Sequence, residues 1–338
     1  MGMCTTGVFR LRTDSHSTAA SAWSLMELVD RDIVITGGCG LVGSTLAHAL
    51  VPANTVRVVD DRSKGDPSVL PEECVFIEGD VGDPLVCSAV ITDSTDLVIH
   101  AAALTDTNHP DPRALIEANT RMTYSVVERA AAVGVEGIAF TSSSTVYGEA
   151  PRPTPETHTP LAPISVYGAA KVADEAIVTA MSSATAASVW IFRFANVVGP
   201  HQRGNVIPDF IEKLRADPDR LEILGDGRQT KSYLHVDDCT AAMLHQIETI
   251  DQRLWVCNLG TADATSVNTI AEVVSEQMGL DPTFEYTGGE RGWQGDVPQM
   301  QLAIDRMLDS GFSPRYDSTT AVERAAIELI EEFEGQSV

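Results

Sequence analysis

Basic residues are scarce in this chain of 338 residues, and lysine is the scarcest. It has four, Lys64, Lys171, Lys213 and Lys231, beside 19 arginines and 48 acidic residues. A formal net charge of −25 repels phosphate backbones and anionic lipid, which excludes nucleic acid and membrane surfaces as partners. Long apolar runs are missing as well. No stretch reaches the roughly 18 consecutive apolar residues of a membrane span. The six cysteines form no C-x-x-C pair, and no Cys/His spacing suits zinc, so no metal is expected. They read as reduced thiols of a cytoplasmic protein. No internal repeat or low-complexity linker divides the chain. Residues 1–30 lack periodicity and the apolar core of a secretory signal. They are expected to be a disordered extension or a misassigned start, with Met26 the true first residue. So acidic a chain suits a cytoplasm of very high salt, where screening removes most of the self-repulsion. A halophilic protein is expected to gain stability from low to molar salt, and full stability without salt would overturn that expectation.

Apolar residues make up 43% of the chain, enough for a sizeable core in one large α/β unit or two modest domains. Residues 33–36 (Ile-Val-Ile-Thr) have a short buried-strand pattern. They run into Gly37-Gly38-Cys39-Gly40-Leu41-Val42-Gly43-Ser44 and then a helical stretch to Leu50. Strand, glycine turn and helix form the context a phosphate-binding loop requires. Glycines let a pyrophosphate approach the backbone, and the helix N-terminus offers free N–H groups. A second strand, 56–59, ends at Asp60, 17 residues beyond Gly43. A carboxylate at that spacing suits the adenosine ribose and favours NAD over NADP, because a 2′-phosphate would be repelled.

Strands at 75–77, 97–100, 137–140 and 189–193 alternate with helices at 84–91, 113–133 and 164–182. Alternation of this kind predicts a parallel, Rossmann-type doubly wound sheet, with ligands at the carboxyl ends of the strands. Asp80 and Val81 follow the third strand, and Ala101 and Ala102 follow the fourth, where small residues admit a cofactor. Asn119 rides on helix 113–133. These residues, with Gly37, Gly40, Leu41, Val42, Gly43 and Asp60, form the expected NAD site. The expected cofactor domain spans 31–198, with 232–258 returning to it. Residues 199–231 and 259–338 are expected to form a smaller α/β substrate lobe, ending in a helix at about 319–334.

Helix 164–182 carries Tyr167 and Lys171, four apart and so on one face. An ammonium close to a phenol favours the phenolate and lowers its pKa from about 10. The fifth strand opens into Thr141-Ser142-Ser143-Ser144-Thr145, which offers a hydroxyl for the oxygen that the tyrosine deprotonates. This is equipment for proton transfer at an alcohol or carbonyl. Ser143 is the candidate, and Ser142 and Ser144 are its neighbouring alternatives.

In order, the motifs T-G-G-C-G-L-V-G-S, V-V-D-D-R, E-G-D-V, H-A-A-A, S-S-S-T-V-Y-G, Y-G-A-A-K, R-F-A-N-V-V-G-P and Y-L-H-V-D-D occupy most of residues 32–315. Together they resemble the extended short-chain dehydrogenase/reductase family, in its nucleotide-sugar epimerase branch. The resemblance implies that Tyr167, Lys171 and Ser143 are catalytic, with NAD as a tightly bound prosthetic group. It also implies that Asn196, Asn205, Val206, Lys231 and Arg291 hold the nucleotide diphosphate of the substrate. The family's 4,6-dehydratases carry Thr-Asp-Glu before V-Y-G, and its glucuronate decarboxylases keep the glutamate. Here Ser143, Ser144 and Thr145 stand in those places, so the resemblance narrows to 4-epimerases of the UDP-glucose type. Another nucleotide-sugar modifying enzyme is the alternative, and a non-catalytic NAD-binding protein, which would lack Tyr or Lys, a third.

The chain departs from the family at three places. Lys231 stands where arginine is usual. The usual Arg-x-Gly-Asp run is two residues longer, Arg291-Gly292-Trp293-Gln294-Gly295-Asp296. Thr105 replaces a cofactor-touching lysine. Met300 aligns with a position that limits room for an N-acetyl group. Family members commonly pair helices 113–133 and 164–182 across a two-fold axis, so a homodimer is expected, although the apolar stripes Leu115, Met122, Val126 and Ile177, Val178 equally suit packing on the sheet.

Overall fold

The computed structural model describes residues 25–106, 109–183, 185–293 and 295–335. Seven parallel strands form the central sheet: β1 (Asp32–Thr36), β2 (Thr55–Asp60), β3 (Val75–Glu78), β4 (Leu97–His100), β5 (Gly137–Ser143), β6 (Ser188–Phe194) and, late in the chain, β11 (Leu254–Leu259). Their order is β11-β6-β5-β4-β1-β2-β3. The strand order therefore reverses beside β1, where the chain runs outward to β2 and then returns to β4. The crevice at such a reversal is where open α/β sheets bind ligands.

Both faces of the sheet are covered, which is why its inner strands read as continuous apolar runs. One face packs on α1 (Leu41–Leu50) and α6 (Val236–Thr249) through Leu46, Leu50, Cys239, Met243 and Ile247. The other packs on α2 (Pro84–Val90), α3 (Pro112–Val133) and α4 (Val166–Ser182) through Cys87, Met122, Val126, Val127 and Val178. Of the α3 and α4 stripes, Met122, Val126 and Val178 thus lie against the chain's own sheet. α3 begins at Asp111, whose carboxylate accepts from Arg113 N and Ala114 N, and ends on left-handed Gly134.

The sheet claims more of the N-terminal stretch than the sequence led us to expect. Met26 and Leu28 are buried in the main core, and Leu28 N donates to Glu248 Oε1 at 3.3 Å. Residues 25–30 therefore belong to the packed chain, and only residues 1–24 of the expected extension lie outside the described residues.

After β6 the chain crosses through β7 (Asn196–Val198), which pairs with β10 (Tyr233–His235). α5 (Val206–Ala216), α7 (Val267–Gln277) and α9 (Ser318–Gly335) enclose a separate apolar cluster with β8 (Arg220–Ile223) and β13 (Thr283–Tyr286). Short strands tie this lobe to the mouth of the sheet: β9 (Thr230–Lys231) pairs with β12 (Thr265–Ser266) and with β14 (Gln299–Met300). A one-turn helix, α8 (Asp305–Asp309), brings Met307 under the main core. Among the described residues no helix is long and apolar enough to cross a membrane.

Candidate active site

A cavity of about 710 Å³ runs along the carboxyl ends of β1, β2, β4 and β5. Gly37, Gly40, Leu41, Val42, Gly43, Asp60, Asp80, Val81, Ala101, Ala102, Tyr167 and Lys171 all line it. A side chain at Gly37, where φ is +66°, would place its Cβ 2.6 Å from the Ala102 backbone. At Gly43 a Cβ would lie 2.4 Å from Gly37 O. At these two glycines the loop is therefore packed backbone against backbone, with no room for a side chain. Gly40 caps α1 with no side-chain acceptor, so the first-turn N–H groups are free for an anion.

Asp60 closes the far end. Its two oxygens accept Cys39 N at 3.1 Å and Arg62 N at 2.8 Å, which fixes the carboxylate at that end of the cavity. Burial pushes its pKa up, against those two N–H groups. Asp80 accepts Gly82 N and pairs with Arg121 at 2.8 Å. These residues fit a dinucleotide with an unphosphorylated adenosine ribose. Asn119 does not reach the cavity. It is buried, and its amide fastens the 101–104 turn through Leu104 N and O, at 2.9 and 3.1 Å. The cavity also takes in Lys64, whose Nζ lies 3.5 Å from Thr105 Oγ1. A cation thus stands beside Thr105 after all, brought from another loop.

Lys171 is 2% exposed. Its Nζ donates to Thr141 O at 2.9 Å and lies 4.7 Å from the Phe140 ring centre and 5.9 Å from that of Tyr167. Burial lowers its pKa. The Tyr167 phenol faces the Ser143 hydroxyl. Its pKa stands above the ordinary value, raised by burial and then by the Asp174 charge, with the Ser143 hydrogen bond opposing. Lys171 is bound to the Thr141 carbonyl, and burial and the Asp174 charge outweigh the Ser143 bond at the phenol. The three serines separate cleanly. Ser142 Oγ donates to Glu175 Oε1 at 2.5 Å, Ser144 is buried in the turn 144–147, and Ser143 is left for the phenol.

On the lobe side, Asn205 lines the same cavity at φ +70° and caps α5, whose first residue is Val206. Asn196 bonds the Tyr233 phenol. Lys231 and Arg291 converge on Asp296: Lys231 Nζ bonds Oδ1 at 2.6 Å, and Arg291 donates to the Asp296 carbonyl. Arg291 also pairs with Glu149, and Trp293 lies over Lys231 with its ring centre 4.7 Å from Nζ. Arg291 borders a second cavity of about 560 Å³ with Glu149, Arg152 and Arg228.

Residues 33–260 match the NAD dependent epimerase/dehydratase family. The chain belongs to this family. A crystal structure of a UDP-galactose 4-epimerase, 36% identical, superposes with a TM-score of 0.82 over 89% of this chain and 99% of the other. A putative UDP-glucose 4-epimerase of Methanocaldococcus jannaschii is 26% identical over 86% of this chain and 96% of its own length. A dTDP-glucose 4,6-dehydratase of Streptomyces antibioticus is 27% identical over 87% and 90%. Curated relatives of two chemistries thus stand within one percentage point of identity, and the side chains facing Tyr167 have to separate them.

One feature of this family member was missed in the sequence. Behind the site, Arg193 and Glu175 form an ion pair at 2.7 Å with both side chains less than 10% exposed. Arg193 also donates to Tyr147 Oη at 2.8 Å, and Tyr147 donates to Asn258 Oδ1 at 2.8 Å. Asn258 in turn bonds the carbonyls of Thr154 and Ala303. The network joins α4, β5, β6, β11 and the lobe loops. No local spacing announces it, since its partners lie up to 111 residues apart.

Proposed function

We propose that the protein interconverts the configuration at C4 of a nucleotide-diphosphate sugar of the UDP-glucose/UDP-galactose type, through a transient 4-keto sugar. The observation that carries the reading is the turn facing Tyr167. Ser143, Ser144 and Thr145 bring hydroxyls and no carboxylate, with Thr145 Oγ1 donating to Ser143 Oγ at 3.0 Å. Water elimination needs acids there to move protons, whereas reversible oxidation at a ring carbon does not. The glycine loop, Asp60 and the α1 N-terminus would hold NAD, which when bound would supply the two-electron acceptor and donor. Tyr167, as phenolate, takes the proton of the sugar O4 hydroxyl and returns it after the keto sugar has turned its other face. Ser143 hydrogen-bonds O4, and Lys171 supplies positive charge beside the phenolate. Lys231 and Arg291 neutralise the diphosphate.

The test incubates purified protein in high salt with UDP-glucose, UDP-galactose and their N-acetyl analogues, without added NAD, and follows products by NMR. Interconversion at C4 supports the reading. A persistent 4-keto-6-deoxy sugar would overturn it.

A smaller effect is expected at Glu149. Its carboxylate, half exposed, competes with the diphosphate for Arg291. Exposed pairs are worth about 0.2–1 kcal/mol, so Glu149→Gln is expected to lower KM for the nucleotide sugar by about one and a half to fivefold. An unchanged KM would take Arg291 out of the diphosphate site.

A further inference from the structure

Lys171 is followed on α4 by two buried acids, Asp174 and Glu175. Residues three and four positions on share the lysine's face. Glu175 has its own partners in Arg193 and Ser142. Asp174 is placed differently. It is 1% exposed, its Oδ1 has no hydrogen-bond partner among the described residues, and the polar group facing its carboxylate is the Thr123 hydroxyl of α3. Thr123 Oγ1 lies 3.2 Å from His100 Nε2, and His100 Nδ1 lies 2.7 Å from Thr36 Oγ1. Thr36 Oγ1 accepts Ala102 N at 3.2 Å, in the wall of the cofactor cavity. A buried carboxylate without a paired cation is costly unless neighbouring charge offsets it.

We propose that Asp174 is a positioning residue for the Tyr167–Lys171 pair: seated between α3 and α4, its carboxylate is the counter-charge that keeps Lys171 an ammonium in an apolar pocket and sets how readily Tyr167 ionises. The proposal rests on the reading of Tyr167 as the proton-transfer group.

On α4, burial depresses the Lys171 pKa, and Asp174 is the foremost charge opposing that, ahead of Glu175. The same carboxylate is second only to burial in raising the Tyr167 phenol. Burial pushes the Asp174 pKa up, and the Lys171 charge and then, across the helix interface, the Thr123 hydroxyl oppose it. Behind it His100 is neutral, its pKa pushed down to about 3 by burial and by Lys171, so β4 adds no positive charge. On β6, Arg193 is bound by Glu175. Lys171 is thus the one cation acting on Asp174, and Glu175, whose negative charge opposes its ionisation, is the other charge that does.

The experiment titrates the Tyr167 phenol by phenolate absorbance in NAD-loaded protein without substrate, as the difference against Tyr167→Phe. Asp174→Asn keeps the volume and removes the charge. Its midpoint is expected to fall by about one pH unit, a tenfold rise in the ionisation constant, and the acid limb of kcat/KM is expected to fall with it. Thr123→Val removes the hydroxyl facing the carboxylate, which drives a proton onto Asp174, and is expected to move the midpoint the same way. Thr123→Ser is expected to leave it in place. Unmoved midpoints in Asp174→Asn and Thr123→Val would overturn the proposal. Should Asp174→Asn fail to fold, Thr123→Val against Thr123→Ser decides alone. If no sugar is turned over but the midpoint still shifts, the epimerase reading falls and the charge balance stands.

Discussion

Tyr167→Phe is expected to lower sugar turnover by about a thousandfold while NAD stays bound, since positioned acid–base groups contribute roughly 10²–10⁴. The substitution removes one oxygen and keeps the ring. The elements proposed to hold the cofactor do not depend on that oxygen. Gly37 and Gly43 pack against backbone, α1 presents its free N–H groups, and Asp60 is fixed by Cys39 N and Arg62 N. Lys171 also keeps its place, because Thr141 O and the Phe140 face position it without the phenol. The Ser143 hydroxyl loses one partner and keeps its bonds from Thr145 N and Oγ1. The pH dependence has a definite sign. Burial and the Asp174 charge hold the phenol above its ordinary pKa, so wild-type kcat/KM should rise with pH as the phenolate forms. The variant should have lost that limb. Turnover and bound NAD are measured on the same preparation. A variant as active as wild type would refute the assigned base, and one that loses NAD as well would make Tyr167 a packing residue of the cofactor site.

What could be read from the sequence follows the range over which each signal acts. The glycine loop, Asp60 and the Tyr-Lys pair are local patterns of a few residues, and the residues named from them line one cavity. The parallel sheet was legible because strands buried on both faces carry unbroken apolar runs. Choosing among three successive serines was not possible locally. Glu175, 33 residues beyond Ser142, takes its hydroxyl, and that leaves Ser143 for the phenol. Asn119 was expected at the cofactor; it is not among the residues that line the cavity, and its amide bonds the Leu104 backbone on the cavity wall. Lys64 was noticed only for its rarity, and its place beside Thr105 is set by a fold contact across 41 residues. The two- and three-residue strands β7, β9, β10, β12 and β14, which tie the lobe to the sheet, are too short for any periodicity to register.

The largest stability effect is expected at Arg193. Its guanidinium grips Glu175 with two nitrogens, Nε to Oε1 at 2.9 Å and Nη2 to Oε2 at 2.7 Å, and sends Nη1 to Tyr147. Arg193→Met would leave the Glu175 carboxylate in the core with only the Ser142 hydroxyl. Breaking a buried pair from one side costs about 3–5 kcal/mol, far more than the pair is worth against apolar replacements. The urea midpoint is therefore expected to fall with no change in slope. The double variant Arg193→Met/Glu175→Gln removes the stranded charge and should recover much of the loss, which a simple packing defect would not do. A single variant within about 1 kcal/mol of wild type would show that the network is solvated or dispensable. Activity gives an independent check on the geometry. Glu175 holds Ser142, the residue before Ser143, and sits one turn beyond Lys171, so the intact pair fixes β5 against α4 where the two catalytic candidates meet. If that coupling is real, the double variant regains stability before it regains turnover.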